Sequence, residues 1–152
     1  MSLIFEIAED DSNLPEIISR YEGYLKDAKN HLDIKGKTLS NANLEHASWL
    51  SYYDEKRIEL YSLVKHYENK LAKVKGNLWI NFTEKYSVAL QSTDKTHYIM
   101  REPRYLEVNE FYLITNELYL KYDSLVEAFK ARGFALRNIT NLRVASLEDS
   151  IL

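Results

Sequence analysis

Five lysines fall between positions 65 and 85, Lys65, Lys70, Lys73, Lys75 and Lys85, against Glu68 and Glu84, a balance of +3 in a chain of 152 residues whose net charge is −3. Trp79 and Phe82 lie among them. Residues of these types bind rather than break bonds: ammonium groups follow a phosphate backbone, and aromatic rings offer faces on which any base stacks. Lys70 and Lys73, three apart, share one helical face, with His66 a turn before and Asn77 a turn after; Lys75 and Trp79, four apart, share another. A solvated basic face with Trp79 and Phe82 in the core accounts for the same pattern, and for an isolated helix it is the simpler reading.

Bond-making constellations are missing. The chain has no GxxxxGK[ST] phosphate loop, which removes the usual ATP-driven recombinase or helicase. His31, His46, His66 and His97 show no HExxH spacing, and without a cysteine there is no thiol nucleophile and no Cys-ligated metal. Glu102, Glu107, Glu110, Glu117, Asp123 and Glu127 are spread along one helical pattern, as a solvent face or docking surface would be, not gathered as a catalytic carboxylate site. The expectation is a binding protein rather than an enzyme, with no metal and no cofactor.

The elements that must position the basic band are helices. Four Gly and two Pro are too few for the turns of an all-β protein. One all-α domain spanning 1–152 is expected, divided into an acidic segment 1–13, long helices with the basic band at 14–91, and assembly helices at 103–152. Asn13 with Glu16 reads as a capping box opening a first helix, about Leu14 to Ile34, that Gly36 ends. From Leu39 an apolar stripe through Ala42, Trp49, Tyr53, Leu60, Tyr67 and Leu78 predicts one helix of roughly 40–50 residues, with Gly76 able to bend it. Ser92, Thr93 and Asp94 read as a cap or turn, and Pro103 opens the next helix, through Val108, Tyr122 and Phe129 to Arg132. The twelve tyrosines follow the apolar stripes and read as mostly structural. The N-terminus does not read as a secretory signal, and no apolar run has membrane-spanning length, so no membrane partner is expected.

The remaining feature is FKARGFALRNITNLR, residues 129–143, with four positive charges and no negative one. Gly133 after Lys130 and Arg132 suits a helix C-terminus, with Phe134 packing back on the last turn and a final helix from Leu136 to Leu147; a helix running through Gly133 is the alternative. Either way, Leu136, Ile139 and Leu142 want a partner surface, and Arg132, Arg137 and Arg143 suit the acids of 102–127.

The segment YDSLVEAFKARGFALRNITNLR, residues 122–143, resembles the C-terminal signature of the UvsY family, the recombination mediators of T-even-type bacteriophages, through Arg132, Gly133, Phe134, Ala135, Ile139 and Arg143. The likeness is specific over this segment and loose elsewhere, where Trp49-Leu50 and KLAKVKGNLW at 70–79 fit the layout. Apolar spacing with a break at Gly133 gives a long-helix subunit with a C-terminal helical pair, and the resemblance implies that such a helical subunit assembles into a ring-like homo-oligomer of roughly six or seven copies. It implies binding of single-stranded DNA without sequence preference through Lys65, Lys70, Lys73, Lys75, Trp79 and Lys85, and assembly through Phe129, Arg132, Gly133, Phe134, Leu136, Ile139, Leu142 and Arg143. The implied partners are a RecA-like phage recombinase and the phage single-strand-binding protein, in the cytoplasm of an infected bacterial host. The basic motif departs from the family pattern, with Gly76 after the lysines and Trp79 in place of a tyrosine pair. A coiled-coil scaffold without nucleic-acid affinity is the competing reading; it leaves the +3 band beside Trp79 unexplained.

Overall fold

The computed structural model describes residues 3–86 and 89–146, with only the backbone of Ala8 and Glu9. Its elements are α1 (Leu3–Glu9), a single 3₁₀ turn (Asp11–Asn13), α2 (Leu14–Leu32), α3 (Leu39–Lys85), α4 (Ser92–Ile99) and α5 (Pro103–Val144). No strand occurs among the described residues. At 1.5 Å per residue α3 is about 70 Å long and passes through Gly76 without interruption. It starts where Thr38 accepts a hydrogen bond from the Asn41 amide, 3.2 Å away.

α3 and α5 pack antiparallel along most of their length. Tyr53 stacks on Phe129 with ring centres 5.0 Å apart, Tyr61 meets Tyr119, Tyr67 meets Phe111, and the Lys75 ammonium lies over the Tyr105 ring. α2 runs back beside the open half of this hairpin, away from α4, burying Leu14, Ile17, Tyr21 and Ala28 against it. The Tyr122 hydroxyl donates to the Tyr21 carbonyl at 2.8 Å, so a buried polar group is satisfied where the three helices touch. α1 continues the third layer, with Leu3 and Ile7 in the same core. Beyond α1 the hairpin has only α4 as cover, and a second, smaller core forms there from Phe82, Ile99 and Tyr105, with Leu71, Val74, Leu78 and Leu90 against it.

Several local expectations are corrected. The capping box does not form: Asn13 already has helical φ and ψ because the 3₁₀ turn feeds directly into α2, and its side chain donates to the Glu6 carbonyl instead, at 2.8 Å. α2 ends at Leu32, and Gly36, with φ of 74°, serves the following turn. The long helix is 47 residues, Leu39–Lys85, within the expected length, but Ser92–Asp94 is the first turn of a further helix, α4, and not an isolated cap or turn. Instead of a C-terminal helical pair there is one helix, α5, which runs through Gly133 and leaves Phe134 61% exposed. The expected helix end at Leu147 lies outside the described residues.

Gly133 is a close-approach residue, not a helix terminator. A Cβ there would lie 2.5 Å from His46 Nε2. The His46 ring is held in place because Arg132 Nη1 lies 3.1 Å from its Nδ1, and arginine can only donate, so Nδ1 accepts. Arg132 is buried, and it also donates through Nε to the Leu32 carbonyl at the end of α2 and through Nη1 to the Ala42 carbonyl at the start of α3. A single side chain therefore fastens α5 to both helices at their junction.

Two glycines should respond in opposite directions to alanine. Gly133→Ala forces His46 off its bond and should cost about 1–3 kcal/mol in urea denaturation. Gly76 has no neighbour within 4 Å of an added Cβ, so Gly76→Ala should gain about 0.5–1 kcal/mol from helix propensity. Equal effects at the two positions would contradict the packing at Gly133.

Candidate nucleic-acid interface

α3 carries the basic band past the end of α2, and its helical twist divides the cations between two flanks. On one flank His66, Asn69, Lys70 and Lys73 line a cavity of about 520 Å³ together with Ile7 of α1. The N-terminal segment already engages this flank: the Asp11 carboxylate pairs with the Lys70 ammonium and accepts the Tyr67 hydroxyl at 3.2 Å. Lys70 therefore holds a carboxylate where a phosphate oxygen was expected, while Lys73 is exposed. His66 is no added cation near neutral pH, because burial, with help from the Lys70 charge, pulls it below the ordinary histidine range.

On the other flank Lys75, Gly76 and Trp79 face α4, forming with Thr96, Ile99 and Met100 a cavity of about 360 Å³. Trp79 is 39% exposed, whereas Phe82 beside it belongs to the small core. The Lys95 ammonium stands over the Trp79 ring, 5.0 Å from its centre, and bonds the Thr83 hydroxyl at 2.9 Å. Tyr86 and Tyr98, both exposed, stack with ring centres 6.3 Å apart at the same end of the molecule. From 73 to 104 the chain holds six Lys or Arg against three acids, a balance of +3 inside an acidic protein. The combination of exposed rings and cations on a surface with one layer of cover suits an extended polyanion whose bases are free to stack.

The two other expected cations contribute less to this surface. Lys65 is paired with Glu68 at 2.6 Å and lies over the Tyr61 ring. Lys85, in the last turn of α3, is exposed and has no acidic partner among the described residues. Lys95, Thr96, Met100 and Arg101 were not singled out from the sequence. The signal was the run Ser92-Thr93-Asp94, which starts a helix as readily as it makes a turn and would have set Lys95 and Ile99 one helical turn apart.

The residues expected to join subunits divide by burial. Phe129, Arg132 and Leu136 are buried within the chain, and Gly133 is packed against His46, so their partners are internal; Leu136 has no need of a neighbouring subunit, and Arg132 meets carbonyls rather than the acids of 102–127. Phe134 is exposed with Arg137 over its ring, Ile139 is half-buried, and Leu142 and Arg143 are exposed. A second exposed row runs along α5: Leu106, Leu113 and Leu120, spaced by seven and 51%, 55% and 53% exposed, alternate with Glu110 and Glu117. Lys130, Phe134 and Arg137 border a shallow cavity near the far end of the same helix, with the opposite charge.

Compared with known proteins, the chain matches no family model, no curated protein and no solved structure. Among the described residues no three His, Asp or Glu side chains are gathered as a metal-binding group, and no helix is long and apolar enough to cross a membrane.

Three histidines are held below their ordinary range: His31 and His66 chiefly by burial, and His46 by burial and the adjacent Arg132 charge. The unfolded chain, with ordinary histidines, takes up protons first as pH falls. Their contribution to stability is therefore complete above about pH 6.5 and is lost below it, as pH passes through the lower folded values. The urea midpoint should fall between about pH 7.5 and about pH 5.5, and His46→Gln should reduce that fall. A midpoint that rises on acidification would contradict this protonation state.

Proposed function

We propose that this chain binds single-stranded DNA without sequence preference and acts as a recombination mediator, helping a RecA-like recombinase onto DNA covered by single-strand-binding protein. The observation that carries the DNA-binding part is the Lys75–Trp79–Lys95 face, with cations and a half-exposed indole brought together from α3 and α4. The mediator role, its two protein partners and a host-cell cytoplasmic setting rest on the resemblance of residues 122–143. The basic stretch of α3 is flanked by α1, α4 and α5, which does not suit insertion into a groove of duplex DNA.

The strand follows the α4 flank, where Arg101 adds a further charge, because Asp11 already neutralises Lys70 on the other. Each cation that meets a phosphate of a single strand steepens the salt dependence by about 0.7. Replacing Lys75, Lys95 and Arg101 together by Ala should weaken binding to an oligonucleotide and flatten the log–log salt slope by about two units. Replacing Lys70 and Lys73 together should flatten it less. The reverse ranking would move the strand to the α1 flank, and no salt-sensitive binding by the intact protein would favour the scaffold reading.

A ring-like homo-oligomer of this subunit turns one modest cationic face into a repeated one, which raises avidity without a new kind of contact. Support comes from two exposed rows on α5, Leu106–Glu110–Leu113–Leu120 on one subunit against Phe134–Arg137 on the next, while Glu117 and Lys130 are already paired within the chain with Lys121 and Glu127. Leu113→Asp and Phe134→Asp each alter an exposed position, so helix content should hold while light scattering reports smaller particles. Full-size particles from both variants would exclude this joint.

A further inference from the structure

We infer that the cavity between Gly76 of α3 and Met100 of α4 receives one nucleobase of the bound strand, so that each subunit engages DNA through a base as well as through phosphates. This deepens the reading above and rests on it. At about 360 Å³ the cavity sits at the low end of the range for ligand sites, roughly 300–1,000 Å³. Its walls suit a flat, apolar-faced group: the partly exposed Trp79 ring, Ile99 and Met100. Lys75 lines it, with its ammonium over the Tyr105 ring, and Lys95 stands over the Trp79 ring, so two cations lie beside the cavity.

Gly76 is the second observation. Glycine inside a helix weakens it relative to alanine, and among the described residues nothing lies within 4 Å of the Cβ this residue lacks. Packing of the protein against itself does not require the gap. A side chain at 76 takes up cavity space, and a glycine leaves it open for a ligand. The hydrogen-bonding groups of the cavity are few: the Thr96 hydroxyl donates back to the Ser92 carbonyl at 3.0 Å, and the Lys75 ammonium lies over the Tyr105 ring. Such a site distinguishes a base from no base, but has little with which to tell one base edge from another, which is the behaviour of sequence-tolerant stacking.

The test compares oligo(dT) with an abasic deoxyribose-phosphate strand of equal length, using the full chain. The intact protein should prefer oligo(dT) by roughly 5- to 150-fold for each base held. Gly76→Leu should bring that ratio close to one, and Met100→Trp, which fills the cavity from α4, should do the same if the first variant folds poorly. Thymidine monophosphate should compete only weakly, since it lacks the neighbouring phosphates. A preference that survives both filled cavities, or a ratio near one in the intact protein, overturns the base site while DNA binding stands. Mononucleotide binding as tight as the strand overturns it in favour of a nucleotide site. Binding of neither strand removes the DNA reading itself, and this inference with it.

Discussion

The buried guanidinium of Arg132 is the interaction on which the arrangement of the helices turns. A cation taken out of water without a carboxylate in contact is costly, and burial lowers the Arg132 pKa accordingly. The charge is tolerated because Nε and Nη1 reach main-chain carbonyls and a histidine lone pair, leaving Nη2 as the one buried nitrogen of the group without a partner among the described residues, and because the Leu32 carbonyl belongs to the last turn of α2, the negative end of that helix dipole. The bonds are directional, so they set where α2 stops, where α3 begins and which residue of α5 stands opposite. Gly133 then leaves room for the His46 ring between the two long helices, where a Cβ would displace it.

From that end the register follows along the hairpin. Tyr53 on Phe129, Tyr61 beside Tyr119 and Tyr67 beside Phe111 are successive rungs of one antiparallel seam, and burial pushes the Tyr53 hydroxyl up to about 12, well outside any working range. α2 is much shorter than α3, so the third layer runs out before the hairpin does, and the 3₁₀ turn and α1 extend it alongside Lys70 and Lys73. The remaining length has two helices and the short α4 around a small core. Here rings and cations stay on the surface and, as also at residues 129–143, an acidic protein is locally basic.

Much of this was legible in the residues. Apolar spacing gave the two long helices, and Pro103 marked the start of the second, because periodicity and proline act locally. Gly133 was harder to read: a glycine after Lys130 and Arg132 matches a helix end in every local respect, and only the approach of His46, distant in sequence, explains it otherwise. The expected capping box failed for a similar reason, since Asn13 found the Glu6 carbonyl. Within the candidate site Lys75 and Trp79 were visible as an i, i+4 pair. Lys95 and Met100 were not, because tertiary packing alone brings α4 to them, and nothing local to Lys70 announced that Asp11 would hold it.

The central claim is that DNA lies on the α3–α4 face, and photo-crosslinking locates it most directly. A single-stranded oligonucleotide carrying 5-iodouracil, irradiated with the intact protein and mapped by mass spectrometry, should attach at Trp79, with Tyr98 and Met100 as secondary sites. Crosslinks confined to residues of α1 and α2, or to Phe134 and the end of α5, would contradict the account.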